Sequence, residues 1–157
     1  DIFCNYDNLL DYINETELVI SDFKENPSLL KIFENERVQE YFLKFDSLRS
    51  NCRVTHQPDF GDVFIYYKSK KQIDYHSLVK YLVSFRNEYH FHEECCEMIY
   101  KRIFDILDVN DILMVTTLYT RRGGIDISSC RYTKDYFEDD IRNLIDLNVF
   151  ARQGIKQ

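Results

Sequence analysis

Apolar and polar residues alternate along Glu40–Asp46, where Tyr41, Leu43 and Phe45 share one face and Phe42, Lys44 and Asp46 the other. Period-two alternation of this kind predicts a half-buried strand, running on irregularly towards Cys52. A second alternating run, Asp62–Tyr67, sets Val63, Ile65 and Tyr67 against Phe64 and Tyr66. A turn built from Pro58, Asp59 and Gly61 joins the two as an antiparallel pair. Lys68–Gln72 is charged and reads as a solvated connection. The period then lengthens. Leu78, Tyr81, Leu82 and Phe85 form one helical stripe, which predicts a helix over 75–86. Asn87–Phe91 breaks it, and a second helix follows over 93–107 with Cys96, Ile99, Ile103 and Leu107 inward. Glu97 and Lys101 form a favourable i,i+4 pair on its outer face. Ile112–Tyr119 is a β-rich strand, Arg121–Gly124 a charged turn and Ile125–Ser128 a shorter strand.

The order strand, strand, helix, helix, strand, strand predicts an α+β fold. It is a four-stranded, mostly antiparallel sheet with two helices packed on one face. The other face and the sheet edges need cover, which points to a homo-oligomer. Upstream, Leu9, Leu10 and Ile13 line a short helix, a small strand lies around Leu18–Ile20, and Asn26, Pro27 and Ser28 mark a turn. Phe137, Ile141, Leu144 and Leu147 have the spacing of a further helix. We therefore expect residues 1–37 to be an N-terminal extension or the remnant of an inter-module segment. Residues 38–157 are the functional module with its C-terminal tail.

Composition narrows the class. A chain of 157 residues with 45% hydrophobic content supports one folded core, and only 4 Gly and 2 Pro argue against a linker-rich chain. The 12 Tyr and 12 Phe are chiefly core and sheet residues, although a ring against a planar ligand leaves the same trace. A net charge of -7 disfavours a nucleic-acid or anionic-membrane surface. It leaves room for a small phosphate-bearing ligand held by a local arginine pair. Five cysteines without framework spacing point to free thiols in a reducing compartment. With no signal peptide and no apolar run of transmembrane length, the expectation is a soluble, cytoplasmic protein. The chain starts at Asp1 rather than methionine, so an upstream portion is expected to have been removed or to exist as a separate chain.

Three stretches hold residues able to do chemistry. Cys52 and Asp59 lie seven positions apart, too far for a helical pairing, but a bend at Pro58 brings thiol and carboxylate to one pocket. A thiol becomes a nucleophile where its surroundings favour the thiolate and leave it partly exposed. As a charged neighbour Asp59 raises the thiol pKa; protonated, it is an acid for a substrate nitrogen. His56 is either a helper or a turn residue, and Cys4 is incidental.

His90-Phe91-His92-Glu93-Glu94-Cys95-Cys96 is the densest cluster. It lacks Cys-x-x-Cys and His-Glu-x-x-His spacing, so no metal is assigned. Adjacent helical cysteines point about 100° apart, so one is expected inward and one outward. Glu93 and Glu94 are ordinary acids for a helix's first turn. Alternatively, Glu93 accepts two hydrogen bonds from the guanidine-like edge of a base while His92 assists proton transfer. Arg121-Arg122-Gly123-Gly124 is either a solvated turn or a phosphate contact, and it is no Gly-x-Gly-x-x-Gly fingerprint.

Taken in order, Asn51–Gly61, Tyr81–Asn87, Phe91–Glu93 and Thr120–Ile127 closely resemble the NADPH-dependent 7-cyano-7-deazaguanine reductases of queuosine biosynthesis, which have the tunnelling fold. The resemblance is strong over residues 38–130. Upstream, and at Val149–Gln153, it is looser and matches the catalytic C-terminal half of the two-module form. It implies that Cys52 adds to the nitrile carbon to form a covalent thioimide and that Asp59 protonates the nitrogen. His92 and Glu93 then belong to the substrate pocket, with Glu93 on the 2-amino and ring N–H edge of the deazapurine. Arg122 and Gly123, with Arg121 adding charge, imply NADPH contacts, and two hydride transfers from two NADPH release the amine. A free-base substrate rather than tRNA agrees with the acidic charge. The chain departs from the family at Asp74, Tyr75 and His76, which stand where short-form members carry a Glu-Ser-Lys type cofactor motif. A missing N-terminal module is expected to supply it, and this chain alone is expected to reduce weakly or not at all. The alternatives are an amidinotransferase-like relative that lets ammonia attack the same thioimide, and a non-catalytic module binding a purine-like ring.

Overall fold

A computed structural model describes residues 6–13, 24–120 and 127–133. Among them, one sheet carries strands in the order β1 (Asp7–Asn8), β2 (Ile32–Asn51), β3 (Pro58–Ile73), β4 (Ile112–Tyr119) and β5 (Ser128–Tyr132). The four longer strands pair antiparallel in succession, as the patterning predicts. The two-residue β1, parallel to β2 at Asp7↔Leu43, is an addition. Helices α1 (Tyr75–Val83) and α2 (His92–Ile106) lie between β3 and β4 in the chain. Both pack on one face, where Leu43, Phe45, Ile65, Leu78, Leu82, Ile99, Ile103 and Val115 form one buried core. No helix among the described residues is long and apolar enough to cross a membrane.

Sheet and helix boundaries depart from the expectation in physically informative ways. Lys68–Gln72 is strand, not a loop. Tyr67, Ser69 and Ile73 are buried on the core face while Lys68 and Lys70 are exposed, so period two persists beneath the charge. The partner stretch of β2, Ile32–Gln39, is mostly exposed too, and its pairing with β3 shifts register between Glu34 and Gln39. The expected irregularity towards Cys52 is a register shift between Phe45 and Leu48. Of the expected strand Ile125–Ser128, residues 125–126 lie outside the described residues; the described strand is Ser128–Tyr132, paired with β4 from Met114 to Leu118.

Helix α1 stops at Val83 and tightens into a 3-10 turn over Ser84–Asn87, where Ser84 Oγ donates to the Tyr81 carbonyl. Its start is capped by Asp74, whose Oδ2 accepts from Ser77 N at 3.0 Å. A 3-10 helix covers Leu9–Tyr12, and Asn26 caps another over Pro27–Leu29. The expected strand at Leu18–Ile20, the helix through Phe137–Leu147 and Cys4 lie outside the described residues.

Both Cys95 and Cys96 are buried, against the expectation of one inward and one outward. The first turn of α2 is enclosed on two sides. Cys96 Sγ approaches the Val115 carbonyl of β4 (3.5 Å), and Cys95 Sγ faces Ser50 Oγ at the end of β2 (3.6 Å).

Candidate active site

The connection between β2 and β3 is a tight turn over residues 52–57, not a bend at Pro58. Cys52 N donates to the Gln57 carbonyl (2.8 Å), and His56 N donates to the Cys52 carbonyl (2.9 Å). His56 closes the turn in the left-handed region at φ 60, a conformation a non-glycine residue adopts only where its surroundings impose it. It is exposed and meets Tyr89 edge to face at 5.0 Å, so it serves as the turn residue of the two roles weighed for it. Pro58, Asp59 and Gly61 belong to β3. Pro58 takes the first strand position, where its missing N–H costs no ladder bond.

This turn sets the environment of Cys52. Its thiol is half-buried, and its pKa is held below the ordinary thiol value, first by the Thr55 hydroxyl and then by the backbone N–H groups of Thr55 and Val54. Burial and the charge of Asp59 push the other way and lose. Donors converging on sulfur favour the thiolate. Burial instead pushes the Cys95 thiol up, and Cys96 up to about 12.

Asp59 and Ser50 are paired across β2 and β3, so the carboxylate sits two residues from Cys52 along the hairpin. It is buried, and its Oδ2 lies 3.1 Å from His92 Nε2. His92 reaches it because the chain before α2 is stitched to the end of β2. Asn51 N donates to the Glu88 carbonyl (2.8 Å), and His90 N donates to the Asn51 carbonyl (3.0 Å). The imidazole lies flat on the ring of Tyr119, with centroids 3.7 Å apart and planes within 3°. Its Nδ1 is buried without a hydrogen-bond partner among the described residues.

The neighbouring acids divide their roles. Glu94 takes Arg53 (3.0 Å) on one oxygen and His90 Nδ1 (3.3 Å) on the other. Glu93 is exposed, and no described side chain forms a hydrogen bond or ion pair with it. The structure thus brings Cys52, Asp59, His92 and Glu93 to one end of the sheet. Among the described residues, no three His, Cys, Asp or Glu side chains gather to hold a metal ion.

Arg121, Arg122 and Gly123 lie outside the described residues. At the start of α1, where a dinucleotide phosphate would need free N–H groups and a cation, Asp74 puts its own carboxylate on Ser77 N. The residues there do not fit a dinucleotide phosphate.

Two members of this site escape a reading by residue type. Thr55 stands three positions after Cys52, a spacing that in hindsight marks a side chain folding back over a turn. Tyr119 carries no such sign, since it reads as one more apolar residue of β4.

Fold and geometry together define a tunnelling-fold module with a donor-lined thiol and a carboxylate–imidazole pair at one end of its sheet. The family model described as QueF-like protein matches residues 58–136, and the chain belongs to that family. It is similar to the NADPH-dependent 7-cyano-7-deazaguanine reductase of Colwellia psychrerythraea, 38% identical over 76% of this chain and 42% of the relative. Relatives of the same name from Burkholderia lata (45% identical, 76% of this chain and 43% of the relative) and Acinetobacter baumannii (47%, 66% and 38%) also match. The chain spans about two fifths of the length of these curated relatives. Among solved structures, the archaeosine synthase QueF-Like in the apo form shares the fold, with a TM-score of 0.52 at 15% identity over 62% of this chain and 94% of that one.

Proposed function

We propose that this chain is the nitrile-attacking module of an NADPH-dependent 7-cyano-7-deazaguanine reductase, acting in queuosine biosynthesis on a free deazapurine. The observation that carries the reading is the pairing of a thiol held towards its thiolate by Thr55 and Val54 with a buried Asp59 on the same hairpin, which His92 meets from the start of α2. Cys52 Sγ attacks the nitrile carbon. The nitrogen takes a proton from Asp59, which His92 Nε2 holds in place, and Glu93 accepts from the 2-amino and ring N–H edge. A soft nucleophile, a positioned acid and a free carboxylate are what this substrate requires.

NADPH, when bound, supplies the hydrides that take the thioimide to the amine. No reductive step is assigned to the described residues of this chain, and contacts from Arg121, Arg122 and Gly123 are part of the proposal. Val54 on the turn, Tyr89 against His56 and Phe91 against Arg53 expose apolar surface beside Cys52, Val54 at 73%. Such a rim supports a second wall contributed by another module or another copy.

The test mixes the full chain with 7-cyano-7-deazaguanine and reads the intact mass. A covalent increment is expected on the native protein and none on Cys52→Ala. No increment, even with an N-terminal module supplied, overturns the reading. A second reading, amidinotransferase chemistry through the same thioimide, is favoured by Asp74 at the start of α1. NADPH consumption by the complete assembly decides between them.

A further inference from the structure

Tyr119 has no part in the chemistry above, yet it occupies an unusual position. It pairs with Gly61 across β3 and β4, and its ring fills the space where a side chain at 61 would stand. A Cβ there would meet Leu118 O at 3.0 Å and Tyr119 Cδ1 at 3.2 Å. The other side of the arrangement is the imidazole of His92, whose Nε2 meets Asp59 two residues before Gly61. The Tyr119 hydroxyl is buried beside Cys95 and Ser50 without an aligned hydrogen bond among the described residues. What the residue presents to His92 is its flat face.

We propose that Tyr119, seated on Gly61, is a positioning residue whose ring fixes the plane of His92 and thereby keeps Nε2 on Asp59. With Nδ1 unpartnered among the described residues, these give the imidazole a single hydrogen bond to orient it, and one bond leaves rotation about χ2 open. The stack closes that freedom. This inference rests on the proposed function: in the addition, the Sγ–C bond forms and one nitrile π bond breaks. The nitrogen gains a proton from Asp59, and the proton released by the thiol makes up the balance. No oxidant or reductant is consumed. Misorienting the acid slows this step without touching the thiol.

The experiment compares Tyr119→Leu with Tyr119→Phe in the full chain. Adduct formation with 7-cyano-7-deazaguanine is expected to slow about tenfold or more in Tyr119→Leu, as small misplacements of reacting groups do. Tyr119→Phe, which keeps the ring, is expected to recover most of that loss. Alkylation of Cys52 by iodoacetamide keeps its rate in both. In an Asp59→Asn background Tyr119→Leu adds no further loss, whereas general destabilisation would add. Independently of any ligand, the His92 ring protons carry an upfield ring-current shift in the NMR spectrum of the native chain and Tyr119→Phe, lost in Tyr119→Leu. If Tyr119→Leu does not fold, Gly61→Ala displaces the ring and must move the same resonances. Equal adduct rates in Leu and Phe variants, or unmoved His92 resonances, overturn the proposal. If no adduct forms even with an N-terminal module supplied, the functional reading fails while the His92 resonances still decide the role of Tyr119.

Discussion

Two groups of thiols lie within one end of this molecule and have opposite characters. Cys52 sits on a turn whose N–H groups and Thr55 hydroxyl point at sulfur, and its pKa falls. Cys95 and Cys96, on the first turn of α2, are enclosed by β2 and β4, and theirs rise. The residue type is the same and the negative charge of Asp59 acts on Cys52 and Cys95 alike. What separates them is whether burial or donated hydrogen bonds dominate. Cys95 and Cys96 also have hydroxyl neighbours that favour the thiolate, Tyr119 and Ser50 for the first and Thr117 for the second, but full burial outweighs them. Cys52 has a ring of donors and is only half enclosed.

The largest test of this contrast is the labelling pattern of the native chain. At neutral pH, iodoacetamide is expected to modify Cys52 at least about a hundredfold faster than Cys95 or Cys96, read by peptide mass. Comparable rates would erase the distinction.

Next in size, Asp59→Asn is expected to slow adduct formation with the nitrile by about 100-fold, the lower range for loss of a general acid. The same change should leave iodoacetamide labelling of Cys52 as fast or faster, because it removes the charge that raises the thiol. Opposite signs in one variant separate an acid from a structural residue, and a parallel fall in both rates would contradict the assignment.

Cys96→Ala should cost about 1 kcal/mol of stability in a denaturant titration and leave Cys52 labelling unchanged, as expected of a packing thiol. The smallest effect is reserved for Thr55→Val, which removes the first-named donor. The pH midpoint of Cys52 labelling should move up towards the ordinary thiol value. Because less thiolate is then present at neutral pH, the rate there falls, while above the new midpoint it rejoins that of the native chain. A midpoint that stays put would mean the backbone N–H groups suffice.

Strand and helix periods were readable wherever one face is apolar: Tyr41–Phe45, Val63–Tyr67 and the stripe from Leu78 to Phe85 occupy the core as their spacing implies. Reading failed where charge hides the period, as in Lys68–Gln72. It failed again where enclosure comes from two directions at once, as at Cys95. Residue type singled out Cys52, Asp59, His92 and Glu93, because few side chains can attack, protonate or grip a planar base. Pro58 and Gly61 misplaced the turn, since both residues also serve inside strands when a neighbour requires it.

The sequence by itself determined the strand–helix order, the set of reactive side chains and, through the spacing of its motifs, the family. Periodicity and residue chemistry are local properties, and they survive without coordinates. Tertiary structure alone decided which thiol is drawn towards its thiolate, that His92 meets Asp59, and that Tyr119 lies beneath that imidazole. Those outcomes depend on distances between residues far apart in the chain, where a hydrogen bond or a ring contact exists only once the strands are in register.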